Sequence, residues 1–158
     1  MFGREESISI EAAPEAVFCY VADIHRHAEW AAQALNIIVE RGPEHGPGTT
    51  FSSTVRIGRG RIIAHGRIIT EEAPVRFIYE CRDLWGHYRW SMILQAEGTG
   101  TRLTQGMERL QAPLWVCLIQ ANFLWPLLGR PSVRNGLANI KARLEASKLA
   151  GESDVEGR

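Results

Sequence analysis

The sequence of 158 residues has little cysteine, no excess charge of either sign and no long apolar run. Its three cysteines, Cys19, Cys81 and Cys117, are far apart and form no CxxC pair, so neither a zinc ribbon nor a disulfide framework is supported. Its 18 Lys and Arg residues balance its 18 Asp and Glu residues. Because a general nucleic-acid binder would usually show a basic excess, we expect no nucleic-acid partner.

Signals for a membrane span or for secretion are also missing. The longest uncharged stretch, 112–129, is broken by Pro113 and Pro126 and is shorter than the roughly 20 apolar residues that a spanning helix needs. Glu5 and Glu6 stand where a signal peptide would have its apolar run. We therefore predict a cytoplasmic protein with reduced thiols and no stable membrane insertion.

The familiar catalytic and cofactor motifs are absent. The sequence contains no Ser/His/Asp elbow, no HExxH, no P-loop and no GxGxxG, so we expect no cofactor and no metal, and no catalytic residue is singled out. His25 and His27 have a spacing of two, which points their imidazoles in different directions on a helix, and we expect both on its surface. His45 lies in a solvated loop, whereas His65 or His87 could contact a ligand, depending on the strand register.

What the sequence does contain is the pattern of one α+β domain, which we place at residues 1–150, followed by a disordered tail at 151–158. The alternation over 7–11 predicts a strand, and Pro14 with Glu15 marks the start of a short helix. A second short helix is predicted over about 24–30.

From residue 35 to residue 107 the pattern changes to six alternating runs that are separated by short loops rich in Gly and Pro, which predicts six consecutive antiparallel strands. An apolar stripe formed by Val133, Leu137, Ile140 and Leu144 then predicts a long helix over about 132–148. One helix can cover six strands only if the sheet curls around it, and curling leaves a cavity between helix and sheet.

Large aromatic side chains and a few polar ones are expected to face this cavity. For any single aromatic residue, filling the core is the simpler explanation, but ligand pockets are mostly apolar with a few polar groups that fix orientation. Asn135 on the long helix is a further polar candidate. The predicted ligand-binding residues are Trp30, Phe51, Tyr79, Tyr88, Trp90, Met92, Gln105, Met107, Leu118 and Asn122.

Two other segments allow more than one interpretation. Arg56, Arg59, Arg61 and Arg67 occur without an acid between them and could hold an anionic ligand group, a membrane headgroup or RNA, but arginines that alternate toward solvent are the commoner case.

The apolar segment 114–128 could close the cavity, form a dimer contact or dip into a bilayer. The bilayer interpretation is disfavoured because the segment has no basic residue, and we rank the cavity lid first and the dimer contact second.

Three stretches, taken in order, resemble a known family. They are residues 10–18 with the following Val21, Ala22, Asp23 and Trp30; residues 98–104; and residues 139–145. Together they resemble the helix-grip fold of the START-like (SRPBCC) superfamily, in its polyketide cyclase/dehydrase and lipid transport branch. The resemblance implies a curved antiparallel sheet of about seven strands around a long C-terminal helix, with two short helices after the first strand.

The resemblance also implies a function, although a fold alone supplies a pocket and not a reaction. We expect the cavity to bind a hydrophobic or aromatic small molecule, as polyketide cyclases do, with catalysis of the cyclase/dehydrase kind left open. The alternatives are a non-catalytic carrier of a lipid or quinone, and a protein-interaction module that uses the 114–128 segment. A homodimer is compatible with that segment.

Overall fold

The structure is a computed structural model that describes residues 4–31, 34–43, 46–57 and 59–156. Its strands are β1 (Arg4–Ile10), β2 (Ala34–Arg41), β3 (Thr50–Ile57), β4 (Gly60–Glu72), β5 (Arg76–Asp83), β6 (Gly86–Glu97) and β7 (Gly100–Gln111). Its helices are α1 (Pro14–Ala22), a 3₁₀ turn (Ile24–Arg26), α2 (His27–Trp30), α3 (Leu114–Ile119), a π-helical segment (Gln120–Gly129) and α4 (Arg130–Glu156).

All seven strands form one antiparallel sheet in the order β1-β7-β6-β5-β4-β3-β2. Each strand from β2 to β6 pairs with the next in sequence, as the short loops predict, and β1 pairs with the distant β7. Helix α4 packs against β1, β7, α1 and α2. This confirms the predicted helix-grip architecture of a seven-stranded antiparallel sheet and a long C-terminal helix.

The helical residues after β1 cover the predicted ranges, but the predicted second helix is divided into the 3₁₀ turn and α2. Pro14 stands at the first helical position of α1, where its missing N–H costs nothing. Asp23 ends α1, and its Oδ1 accepts the backbone N–H of His25 at 3.1 Å, which caps the 3₁₀ turn. These helices bury Val17, Val21 and Ile24 in the core, and they close one end of the space under the sheet.

The inner face of the sheet supplies most of the core. Its alternate residues include the fully buried Phe77, Met92 and Leu103, which pack with Leu137 and Ile140 of α4. Gly66 on β4 lies directly opposite Phe51 on β3, and a Cβ there would come within 2.2 Å of the Phe51 ring. The missing side chain therefore lets the aromatic ring lie across the neighbouring strand.

The C-terminal third departs from the expected boundaries. Helix α4 continues to Glu156, past the expected end at residue 148 and into the 151–158 segment expected to be disordered, of which 151–156 are helical. In the 114–128 segment, Val116 is buried, but many apolar side chains are exposed. We refer to these as the apolar surface: Leu114, Trp115, Leu118, Ile119, Leu127 and Leu128.

Among the described residues, no helix is both long enough and apolar enough to cross a membrane.

Candidate functional site

A cavity of about 420 Å³ lies between the inner face of the sheet and the helices. Residues from each of the strands β1 to β7 form its sheet wall, and α2, the π-helical segment and the start of α4 form the helical wall. Three lining residues of the helical wall have small side chains or none, which leaves room for the cavity: Gly129, Ser132 and Gly136. The cavity is therefore a direct result of one helix spanning a curved sheet.

Aromatic rings form one end of the cavity. The His27 ring lies 4.7 Å from that of Trp30 and 5.4 Å from that of Tyr79, measured between ring centroids. Tyr79 also makes an edge contact with Phe51 at 6.0 Å. The backbone of Trp30 is fixed to α4, because Asn139 donates its Nδ2–H to the Trp30 carbonyl at 3.1 Å. Such tilted contacts fix ring orientation and give this end rigid apolar walls.

His27 belongs to this aromatic end, which corrects the expectation that it lies on a helix surface. The 3₁₀ turn ends before it, so His27 begins a new short helix and its side chain turns inward beside Trp30. Its Nε2–H donates to the Val21 carbonyl at 2.8 Å. Burial lowers the pKa of His27 to about 4, although the hydrogen bond to Val21 and the charge of Asp23 act in the opposite direction. The imidazole is neutral at pH 7.

Three buried polar atoms of cavity-lining residues lack a hydrogen-bond partner in the described part of the chain. They are Nε1 of Trp30, Nε1 of Trp85 and Oε1 of Gln105. Leaving a buried donor or acceptor unpaired costs about 1–3 kcal/mol. These atoms are two N–H donors and one acceptor, and they belong to residues of a mostly apolar wall.

A carboxyl group also lines the cavity, at the end of β5. Asp83 Oδ1 accepts the backbone N–H groups of Trp85 at 2.8 Å and Gly86 at 3.1 Å, which fixes the turn into β6. Partial burial raises the pKa of Asp83 above its ordinary value, although the two N–H donors act in the opposite direction. Beside it, burial and the Asp83 charge raise the pKa of the Cys81 thiol to about 12, so this thiol stays protonated.

A cationic residue, Arg4, also lines the cavity. The Arg4 guanidinium lies 4.8 Å from the centre of the Trp125 ring, in a cation–π contact, and both residues line the cavity. Burial and the nearby charge of Arg109 lower the pKa of Arg4, which remains charged at neutral pH. The cavity lining therefore combines the aromatic cluster around His27 with two residues that carry charged side chains, Asp83 and Arg4.

Seven of the ten predicted ligand-binding residues line this cavity, whereas Met92 and Leu118 do not. Met92 lies fully buried in the core, next to its register partners Phe77 and Gln105, and does not line the space. Leu118 is 58% exposed, because α3 buries only its Val116 side. The side chain of Asn122 lies outside the described residues. The predicted residues that line the cavity are Trp30, Phe51, Tyr79, Tyr88, Trp90, Gln105 and Met107.

The lining residues that were not predicted include Arg4, His27, Asp83 and Trp85. Asp83 and Trp85 stand in a hairpin connection, where an Asp side chain commonly accepts the backbone N–H two residues further along the chain. That signal could have located the turn, but it could not show that the same carboxyl also faces a cavity. Asn135, the further polar candidate, is exposed on α4.

His65, His87 and the arginines of the β3–β4 hairpin are not among the residues that line the cavity. His65 lies 3.7 Å from Glu40, and His87 lies 2.9 Å from Glu80 while accepting the Arg82 guanidinium N–H at its Nδ1. The arginines of the β3–β4 hairpin are exposed, as the commoner interpretation expects: Arg56, Arg59, Arg61 and Arg67. His45 lies outside the described residues. The described residues also contain no group of three or more His, Cys, Asp or Glu side chains that could hold a metal ion.

Comparison with known proteins agrees with this architecture. The family model for polyketide cyclase/dehydrase and lipid transport matches residues 1–145. No curated protein sequence matches the chain significantly.

Solved structures resemble the chain at low sequence identity. TTHA0849 from Thermus thermophilus is 17% identical with a TM-score of 0.74, over 92% of this chain and 99% of that one. The Zhui aromatase/cyclase from Streptomyces sp. R1128 is 11% identical with a TM-score of 0.70, over 91% and 93%. A START superfamily protein from Mycobacterium smegmatis is 12% identical with a TM-score of 0.73, over 91% and 97%. At these identities the likeness concerns the fold.

Proposed function

The chain belongs to the polyketide cyclase/dehydrase and lipid transport family, and from this premise we propose that its cavity binds a hydrophobic, aromatic small molecule with oxygen substituents. The observation that carries the proposal is the cavity of about 420 Å³ with aromatic walls and unpaired buried polar atoms. Its volume lies within the range of about 300–1,000 Å³ that is typical of small-molecule sites.

The composition of the wall favours rings over a flexible acyl chain. Tyr79, Trp90 and Phe51 supply flat apolar faces against which an aromatic ligand can stack. The unpaired N–H groups of Trp30 and Trp85 would find acceptors in ketone or hydroxyl oxygens, whereas a hydrocarbon chain would leave them unpaired. The likeness to an aromatase/cyclase supports the same class of ligand.

The first test is native mass spectrometry of the protein purified from the organism that makes it, followed by extraction of any retained molecule. We expect a stoichiometric aromatic ligand with oxygen substituents. A retained fatty acid or phospholipid would instead support the carrier alternative. A ligand present at 100 times its Kd stabilises the fold by about 2.7 kcal/mol, which raises Tm by about 5–10 °C for a chain of this size.

A pair of variants on β4 then tests the cavity itself. Ala64 is buried and lines the cavity, whereas its neighbour Ile63 is 60% exposed on the outer face. We expect Ala64→Phe to fill part of the space and to abolish the ligand-dependent rise in Tm, while Ile63→Phe leaves that rise unchanged. A ligand that stabilises both variants equally would place its binding site elsewhere and contradict the proposal.

The apolar surface supports a second candidate function, contact with another protein chain. Large contiguous apolar patches are rare on monomeric proteins and usually mark interaction sites. Trp115, which is 56% exposed, belongs to this surface and makes an edge contact with the cavity-lining Trp85 at 6.1 Å. The two functions are compatible, because the surface adjoins the cavity wall without filling it.

A further inference from the structure

Asp83 has an available oxygen at the cavity. Its Oδ1 already accepts two backbone N–H groups, those of Trp85 and Gly86. The described residues offer no hydrogen bond to its Oδ2, although the side chain lines the cavity. A carboxylate needs several hydrogen bonds when it leaves water, so this oxygen remains available to a ligand that occupies the space.

The other titratable groups that line the cavity are not carboxylates. On β5, the buried Tyr79 hydroxyl and the Cys81 thiol stay protonated, because burial raises the pKa of both. His27 on α2 uses its Nε2–H for the Val21 carbonyl. Two further titratable residues line the cavity from other strands. Tyr88 on β6 already has an interaction, and Arg4 on β1 is a cation with Arg109 on β7 close to it. Asp83 is thus the anionic acceptor among the described cavity residues.

We propose that Asp83 selects the ligand, with its Oδ2 accepting a hydrogen bond from a phenolic or enolic O–H of the bound aromatic molecule. This inference rests on the proposed function, because it assumes that an aromatic ligand occupies the cavity. It adds the class of ligand: a neutral molecule with an acidic hydroxyl group. The same carboxylate repels an aromatic carboxylate of similar shape, since like charges close together in a partly buried site are unfavourable.

Three naphthalene probes of nearly equal size test this selection on the full chain. 2-Naphthol offers the O–H donor, 2-methoxynaphthalene lacks it, and 2-naphthoate carries a negative charge at neutral pH. Because hydrogen bonds to charged groups are stronger than neutral ones, we expect the protein to bind 2-naphthol at least about tenfold more tightly than 2-methoxynaphthalene. 2-Naphthoate should bind more weakly than either. Isothermal titration calorimetry measures all three affinities.

The decisive variant is Asp83→Asn. Asparagine keeps a side-chain oxygen that can accept the N–H groups of Trp85 and Gly86, so the turn survives while the carboxylate is lost. We expect the preference for 2-naphthol over 2-methoxynaphthalene to fall to within about twofold, and 2-naphthoate to gain affinity. The matched control is Asp23→Asn, because Asp23 also caps a backbone N–H but lies away from the cavity.

The pH dependence supplies an independent readout. Lowering the pH protonates Asp83, so the preference for 2-naphthol should decline in the acid range for the unmodified protein and stay flat for Asp83→Asn. If both proteins show the same preference and the same pH profile, the role of Asp83 is refuted while the proposed cavity function stands. If the folded, unmodified protein binds no naphthalene probe at all, the proposed function and this inference both fail.

Discussion

His27 is a buried titratable residue, and we therefore expect the free energy of unfolding to depend on pH in the acid range. The folded protein holds the imidazole neutral, with a pKa of about 4, whereas the unfolded chain takes up a proton near pH 6.5. The unfolded state therefore binds more protons between these two values, and stability falls as the pH drops through that window. The full loss would be roughly 3 kcal/mol.

Urea unfolding between pH 4.5 and 7.5 measures this loss. We expect the free energy of unfolding to decline toward acid pH in the unmodified protein. His27→Gln removes the titrating ring and keeps an N–H donor for the Val21 carbonyl, so its curve should be flatter across the same range. His25→Gln, at an exposed neighbouring position, should follow the unmodified protein. Parallel curves for the unmodified protein and His27→Gln would show that another group causes the acid sensitivity.

The sequence could locate Trp30 and the site residues in the middle of strands, but it missed His27 and Asp83 at element ends. Tyr79, Tyr88 and Trp90 follow from alternation alone, because every second residue of a strand faces the same side. His27 and Asp83 lie where a short helix begins and where a strand ends. At such positions a change of one residue in the boundary reverses the direction of a side chain, and sequence patterns do not fix boundaries so closely.

At the scale of elements, an ion-pair cluster ties the start of α4 to β1. The Glu6 carboxylate accepts the guanidinium N–H groups of Arg130, at a short separation, and Arg134, at 3.0 Å. These bonds lower the pKa of Glu6, chiefly through the hydrogen bond from Arg130. Its stabilising contribution is therefore present above the unfolded-state pKa and is lost as the pH falls through the folded-state value.

Glu6→Gln tests whether this cluster holds the helix in place. Both arginines are more than half exposed and solvent screens the pairs, so we expect a loss of only about 1 kcal/mol of global stability. Hydrogen exchange of the amides in the first two turns of α4 should accelerate more than that of the strand amides. Glu5→Gln, which is exposed on the other face of β1, is the control. Unchanged exchange in Glu6→Gln would mean that apolar packing alone fixes α4.

Periodicity predicts elements with one buried face and fails where a segment is apolar on every side. The strands and α4 have clear periods, and their existence and order are confirmed. In the 114–128 segment almost every residue is apolar, so the pattern carries no information about which side is buried. The structure shows that α3 buries Val116 and exposes Leu114, Trp115, Leu118 and Ile119. The π-helical segment that follows has no sequence period of its own.

At the scale of the whole molecule, the apolar surface predicts self-association. Isologous contacts between equal surfaces of two chains are the commonest way in which such a patch is covered. We expect the weight-average mass in sedimentation equilibrium to rise with concentration for the unmodified protein. Leu118→Glu should keep the protein monomeric over the same range, because it places a charge in the middle of the surface.

The control for this experiment is Val75→Glu, since Val75 is 51% exposed in the β4–β5 turn and is not part of the apolar surface. This variant should associate as the unmodified protein does. If the unmodified protein stays monomeric at every concentration, a second copy of the chain does not cover the apolar surface. The surface would then have to be assigned to a different partner chain.

The pairing of β1 with β7 has a consequence for how the molecule comes into being. Ile10 meets Thr101 and Arg4 meets Met107, so the first strand has no neighbour until about a hundred more residues have been made. Contacts of such long sequence separation make folding slow. On the ribosome, β2 to β6 can pair one after another as they emerge. The apolar side of β1 stays exposed during this time, because its partner β7 has not yet been made. The growing chain is therefore most prone to aggregation before β7 and α4 emerge and complete the cavity.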